Sequence, residues 1–246
     1  MSPSTKTSAQ PLRNQAALIT GATRGIGLAI AHALAAQGCN LILTGRDEKA
    51  LNRISRELAS AKIRTLAHPC DLRDPKSIAA LFRAIRRQFA TLDILINNAG
   101  IAHANLTVDK LPATIWKDVI DTNLTGTFLV TQAALPMMKS GGTIVNNLSI
   151  VANRVFAGSA AYVASKHGAL GLTNTLREEL RPKGIRVIAL MPGATNTDIW
   201  NSFWPQAPRK KMMSAATIAT AVVNAILLPP NATVETIEIL PTTGLL

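Results

Sequence analysis

Ala16-Ala17-Leu18-Ile19-Thr20-Gly21-Ala22-Thr23-Arg24-Gly25-Ile26-Gly27 is an apolar run that breaks into glycines and leads, over 28–36, into an alanine-rich stretch. A short apolar run ended by glycine reads as a buried strand, and the alanine-rich segment reads as a helix. The unit is therefore strand, tight turn, helix. Glycines at such a turn permit sharp bending and close backbone approach, and the turn presents a helix N-terminus to an anion such as a pyrophosphate. The spacing is G-x-x-x-G-x-G rather than the commoner dinucleotide fingerprint, and a glycine cluster alone also serves as an ordinary turn.

Outward from this unit the same alternation continues. Residues 40–44 form a second apolar run, followed by Asp47 as a helix cap and by Leu51, Ile54 and Leu58 at helical spacing. A third strand at 64–67 precedes Ile78, Leu81, Phe82, Ile85 and Phe89, which fall on one helical stripe. Further strands are expected at 92–96, 143–148, 185–190 and 233–240, with helices through 138, at 160–180 and at 215–228. Strands that are continuously apolar and alternate with long helices require a parallel sheet covered on both faces. The expected fold is thus α/β, a doubly wound, seven-stranded parallel sheet in a single domain over 15–246. Residues 1–14 read as a flexible tail, lacking the apolar core of a secretory signal.

Composition supports this class. Of 246 residues 48% are hydrophobic and 16% charged, which suits a globular chain with a large core. No apolar run approaches the roughly 20 residues of a membrane-spanning helix, and a cytoplasmic location with no membrane partner is expected. Cys39 and Cys70 fall in or beside strands and read as packing residues. His32, His68, His103 and His167 show no metal-ligand spacing, so no metal is expected. The formal charge of +12 invites a polyanion partner. The cations are spread along the chain, however, and the dense groups Arg86-Arg87 and Arg209-Lys210-Lys211 do not alternate with base-stacking rings. Solvated helix faces explain the charge better than nucleic-acid binding.

The second strand ends in Thr44-Gly45-Arg46. NAD-selecting turns place a carboxylate there for the ribose 2′-hydroxyl. A guanidinium instead matches a 2′-phosphate through paired, charge-assisted hydrogen bonds, and Arg24 in the glycine turn is a second candidate for that phosphate. The expected cofactor is NADP(H), with Asp47 beside Arg46 as the feature that argues the other way.

Tyr162 and Lys166 lie four apart near the start of the 160–180 helix, so their side chains share a face. A nearby ammonium at an effective dielectric of about 20 is expected to pull a phenol's pKa of about 10 toward neutrality, making it a proton donor and acceptor for a carbonyl and its alcohol. Ser149, at the end of the fifth strand, is placed to hydrogen-bond the same oxygen. A lone Y-x-x-x-K pair is common. Here it occurs in one order with the glycine turn, Asn97-Asn98-Ala99-Gly100, Asn123, Ser149 and Pro192-Gly193.

With these motifs the sequence resembles the short-chain dehydrogenase/reductase family over 15–244. The resemblance implies a Rossmann-type fold and a tetrad of Asn123, Ser149, Tyr162 and Lys166. Tyr162 would be the general acid/base, Ser149 would polarise the carbonyl, Lys166 would lower the tyrosine pKa and hold the nicotinamide ribose, and Asn123 would anchor a water in a proton relay. Cofactor contacts would come from Gly21, Thr23, Arg24, Gly25, Ile26, Gly27, Arg46, Asp71, Leu72, Asn97, Ala99, Gly100, Pro192, Gly193, Thr195 and Thr197. In that family the helices at 124–138 and 160–180 build a dimer-of-dimers interface, which implies a homotetramer. Asn153 stands where many members have glycine. The end Glu238-Ile239-Leu240-Pro241-Thr242 looks more like the 3-hydroxy acid and serine dehydrogenase branch than like 3-oxoacyl-carrier-protein reductases.

The stretch 194–214 holds Trp200, Phe203 and Trp204 in a chain with 4% aromatic residues. A loop this long is commonly a lid or binding loop, and three rings suit an apolar or aromatic small-molecule substrate or, equally, packing beneath the loop. His103, Val151, Asn153 and Phe156 are further wall candidates. The expected function is interconversion of a ketone and a secondary alcohol. The alternatives are a 3-oxoacyl-(acyl-carrier-protein) reductase, a 3-hydroxy acid dehydrogenase, or a non-catalytic NADP(H)-sensing protein; the last would tolerate damage in the tetrad, and none is visible.

Overall fold

In the computed structural model, which describes residues 10–245, alternate residues of one strand feed opposite cores. Ala17 and Ile19 pack with Ile30, Leu34, Leu51, Ile54, Ile218 and Val222. Ala16 and Leu18 pack with Leu81, Phe82, Ile85, Val130 and Leu180 on the other face. The period of two along a strand buried on both sides explains why the sequence shows an unbroken apolar run.

The strands are β1 (Ala16–Thr20), β2 (Asn40–Gly45), β3 (Thr65–Pro69), β4 (Ile94–Asn97), β5 (Thr143–Asn147), β6 (Arg186–Pro192) and β7 (Thr236–Ile239). They form one parallel sheet in the order β3-β2-β1-β4-β5-β6-β7. The helices are α1 (Gly25–Ala36), α2 (Glu48–Leu58), α3 (Pro75–Gln88), α4 (Ala113–Ile120), α5 (Gly126–Ala134), α6 (Ala160–Leu180), α7 (Trp200–Phe203) and α8 (Ala215–Ile226). Because β1 lies between β2 and β4, the chain reverses its direction of travel across the sheet there. The carboxyl ends of β1 and β4 consequently diverge and open a crevice, the usual ligand position in such sheets.

The sequence places α6 at its observed bounds, while other ends move. Helix α1 starts at Gly25, ahead of the expected 28, because the glycines that lower helix propensity still take helical geometry once the turn is packed. Strand β3 runs on to Pro69, which an edge strand tolerates. The helix expected from 124 is instead a π-helical segment, Asp121–Thr125, running into α5, and Pro136 converts its end to a 3-10 turn. Residues 1–9 of the expected tail lie outside the described residues. Leu12 in its remainder is 3% exposed, and its amide donates to the Gln37 carbonyl at 3.1 Å. The packed chain therefore begins before the boundary expected at 15. Cys39 and Cys70 are free and buried, and burial pushes the Cys39 thiol up to about 12.

Candidate active site

The glycine turn closes the crevice floor by contacts that only glycine permits. Gly21 and Gly25 take φ of +65° and +56°, a region that side-chain-bearing residues adopt rarely. A Cβ at Gly21 would lie 2.9 Å from Ala99 Cα, and one at Gly27 would lie 2.5 Å from the Gly21 carbonyl oxygen. Gly27 thus packs behind the turn, and unlike Gly21, Thr23, Arg24, Gly25 and Ile26 it does not line the cleft. The N-terminus of α1 has no side-chain cap and no acidic residue in its first turn. Its free N–H groups and the positive end of its dipole suit a diphosphate.

Asn98, which the sequence reading passed over, holds this turn. Its amide donates to Thr20 Oγ1, its Nδ2 donates to the carbonyls of Thr20 and Gly21 at 2.9 and 3.1 Å, and its Oδ1 accepts from Asn147 Nδ2 at 2.8 Å. Asn97, the expected cleft residue, points the other way. It is buried, and its Nδ2 donates to Thr131 Oγ1 and Asn146 Oδ1 at 2.9 and 2.8 Å. A shift of one residue along a strand end exchanges the faces of the sheet, so Asn97 ties β4 to β5 while Asn98, Ala99 and Gly100 line the cleft.

The far end of the cleft carries the selectivity candidates. Thr23, Gly45 and Arg46 line it together, with Arg46 exposed, and a side chain at Gly45 would press on Thr23 Cγ2 at 3.4 Å. Asp47 is committed elsewhere: its Oδ1 accepts from the Ala50 amide at 2.9 Å as the cap of α2. Arg24 faces Asp198 across the cleft at 3.6 Å, both largely exposed. Asp71 is gripped by Arg73, whose Nη1 also reaches Asp118 on α4 at 2.8 Å. That guanidinium holds the Asp71 carboxyl below the usual carboxylate range. Leu72 lines the cleft beside it.

At the other end, Ser149, Tyr162 and Lys166 converge on the cleft. Ser149 is held by the 3-10 turn Ile150–Ala152, which it caps through the Val151 amide. Lys166 is 5% exposed, its Nζ donates to the Asn147 carbonyl at 2.8 Å, and it lies 5.6 Å from the Tyr162 ring centroid. Burial pushes the Tyr162 phenol up to about 12, with the Ser149 hydroxyl pulling in the opposite direction. Burial also lowers the Lys166 amine to about 8. The expectation that Lys166 draws the phenol toward neutrality is therefore corrected: burial is the largest cause of both shifts and moves the phenol the other way. Asn123 does not face the cleft. It is 2% exposed within the π-helical segment, its Oδ1 accepts from the Ile101 amide, and its Nδ2 donates to the Ile101 carbonyl and Ser165 Oγ.

Val151, Phe156, Trp200, Phe203 and Trp204 line the cleft, together with Leu148, Ile101, Ile199 and Leu245, which the sequence did not single out. Phe203 lies 6.4 Å from the Tyr162 ring, and Trp200 meets Phe203 edge to face at 5.7 Å. The loop 194–214 that carries them is closed at its base by a bridge between Thr195 and Met213. Thr195 accepts from Trp200 Nε1 at 2.9 Å, while Arg209 donates to the Thr197 carbonyl at 2.6 Å, so this arginine staples the loop. Pro192, Gly193, Thr195 and Thr197 line the cleft below. Two expected wall residues do not. His103 is buried with Nδ1 on the Ala104 carbonyl at 2.7 Å, and Asn153 is exposed beyond the 3-10 turn. Among the described residues no His/Cys/Asp/Glu cluster suits a metal, and no helix is long and apolar enough to cross a membrane.

The cleft, of about 760 Å³, joins a glycine cradle and bare helix N-terminus to a buried phenol and amine, which defines a dinucleotide-dependent oxidoreductase geometry. Residues 15–208 match the family model described as short chain dehydrogenase. A putative ketoacyl reductase of the granaticin polyketide synthase from Streptomyces violaceoruber is 40% identical over 195 residues, 78% of this chain and 70% of the relative. An alcohol dehydrogenase from the archaeon Thermococcus sibiricus, complexed with 5-hydroxy-NADP, superposes with a TM-score of 0.87 at 30% identity, covering 93% of this chain and 97% of that one. A 3-ketoacyl-(acyl-carrier-protein) reductase from Brucella melitensis, complexed with NADH, gives 0.85 at 28% identity, covering 94% and 98%. This chain belongs to the short-chain dehydrogenase/reductase family and is an oxidoreductase.

Proposed function

We propose that this oxidoreductase uses NADP(H) to interconvert a ketone and a secondary alcohol, with Tyr162 as general acid/base. The observation that carries this reading is the pairing of Tyr162 and Lys166 inside the cleft that the glycine turn floors. Arg46 and Thr23 beside the bare Gly45 would hold a 2′-phosphate, the N-terminus of α1 the diphosphate, and Asp71 with Leu72 the adenine end. When bound, the dinucleotide supplies the hydride.

The chain's own residues handle the proton. With its pKa near 12, Tyr162 keeps its hydrogen at neutral pH and donates it to the substrate oxygen as the carbonyl is reduced. Ser149 donates a hydrogen bond to the same oxygen, which stabilises the developing charge. Lys166, mostly protonated below its pKa of about 8, stabilises the phenolate that donation leaves, and the amine returns a proton to it. Asn123 acts as a positioning residue: it braces the Ile101 loop against Ser165 and so holds Gly100 beside the amine. Phe128 and Trp116 are 44% and 43% exposed on α5 and α4, which supports a homotetramer built through that side.

Two of the similar proteins are ketoacyl reductases by name, so a carrier-bound 3-oxo ester is a second substrate reading. The test is a panel of aryl and alkyl ketones and 3-oxo esters with NADPH and with NADH, scored by kcat/KM. Reduction that favours NADPH at least tenfold supports the reading; a tenfold preference for NADH, or no turnover with any carbonyl, refutes it.

A further inference from the structure

The cleft wall contains a residue from far along the chain. Leu245 is 48% exposed and lines the same cavity as Tyr162, Phe156, Phe203 and Trp204. Its arrival there is built into the fold. The Gly193 amide donates to the Ile239 carbonyl at 2.8 Å, which fixes the end of β7 beside the cleft floor. A Cβ at Gly193 would lie 2.6 Å from Leu240 Cδ2 and 3.3 Å from Pro241 Cδ, so the bare glycine lets the chain leaving β7 seat on that floor. Pro241 is buried, Gly244 donates back to the Pro241 carbonyl at 2.9 Å, and Gly244 takes a φ of +85°. This turn reverses the chain and delivers Leu245 to the cavity. A second tie, Arg154 Nη2 to Glu238 Oε1 at 2.7 Å, joins β7 to the loop that follows Ser149.

The chemistry of this wall is one-sided. Residues 241–245 read Pro-Thr-Thr-Gly-Leu and carry no charge. The cations that line the cleft are Arg24, Arg46 and Lys166; Arg24 is paired with Asp198, Arg46 lies at the end of β2, and Lys166 is hydrogen-bonded to Asn147. Among the described residues, the end of the cavity near Phe203 and Trp204 therefore offers apolar surface and no cation besides the hydrogen-bonded Lys166 for a substrate carboxylate. The geometry points to Leu245 as a specificity-determining residue that, with Trp204 and Phe203, packs on the apolar group of a neutral, bulky ketone or its alcohol. This inference rests on the carbonyl-reductase reading above.

The test compares Leu245→Ala and Leu245→Asp with the unaltered full chain, using NADPH and a graded series from a small dialkyl ketone to a bulky aryl alkyl ketone. Loss of a few methylenes from an apolar pocket discriminates substrates by about tenfold or more. The expected result is a drop of about tenfold in kcat/KM for the bulky ketone with Leu245→Ala, carried by KM, and a larger drop with Leu245→Asp. The small ketone and NADPH affinity are expected to stay within about twofold. Equal effects on small and bulky ketones, or none, overturn the inference. Trp200 and Trp204, two of the three tryptophans, give a readout independent of turnover: quenching of their fluorescence by the bulky aryl ketone is expected to need a higher ketone concentration in both variants. If the unaltered chain turns over no ketone but quenching shifts as stated, the wall stands and the reductase reading falls. Unshifted quenching with normal turnover sinks the wall alone.

Discussion

Replacing Lys166 with methionine is expected to raise stability while removing activity, and the size of the gain follows from burial. The amine is 5% exposed and its pKa falls from 10.5 to about 8. Each pKa unit corresponds to 1.36 kcal/mol, so at pH 7 keeping this ammonium in the fold costs about 3 kcal/mol relative to the unfolded chain. Methionine has a similar length and no charge to desolvate. It leaves the Asn147 carbonyl without the Nζ donor at 2.8 Å, which costs about 1 kcal/mol. The net gain of about 2 kcal/mol corresponds to a rise in Tm of about 4–8 °C for a chain of this size. The pH dependence gives the sharper test. Between pH 8 and 10.5 the unfolded chain binds more protons at this site than the folded one, so the stability of the unaltered protein rises with pH there. The advantage of Lys166→Met is therefore full below pH 8 and gone by about pH 10, above which the lost hydrogen bond leaves the variant the less stable of the two. Chemical unfolding at pH 7 and pH 10 measures it. A methionine variant that is less stable at pH 7, or a difference that does not change with pH, would refute the reasoning.

Arg46→Asp is expected to lower kcat/KM with NADPH by at least tenfold and to leave NADH turnover the same or better, since the exchange removes a phosphate partner and supplies a ribose-hydroxyl acceptor; initial rates with each cofactor decide it. Gly27→Ala is expected to weaken dinucleotide binding without touching the proton chemistry, because its Cβ would lie 2.5 Å from the Gly21 carbonyl; a cofactor titration that matches the unaltered protein contradicts this. For reduction, kcat/KM is expected to fall above about pH 8 as Lys166 loses its proton. A profile flat to pH 10 would separate the amine from the reaction.

Long-range order was legible wherever one local rule dictated it. The apolar runs, the glycine turn and the Tyr162–Lys166 spacing each report their own geometry, and α6 matches its expected bounds. Contacts set by packing between distant segments were not. Asn97 and Asn98 are chemically identical neighbours, and only the register of β4 decides which one enters the cleft. His103 and Asn123 carry the right chemistry, but both are buried and turned onto backbone groups of the 101–104 loop, with Asn123 also donating to Ser165 Oγ. Leu245 has no local signal, since its place depends on the bare surface of Gly193. Helical spacing makes the phenol and the amine neighbours, but it does not report the burial that raises one pKa and lowers the other.

The most direct test of the account is Tyr162→Phe, assayed for NADPH binding by fluorescence titration and for ketone reduction in single turnover. The ring, its contact with Phe203 at 6.4 Å and the Lys166 hydrogen bond to Asn147 do not depend on the phenol oxygen. The account predicts NADPH affinity within about threefold of the unaltered protein and reduction slower by at least the 10²–10⁴ expected for loss of a general acid. Reduction at a tenth of the normal rate or faster, with the cofactor bound, would contradict it.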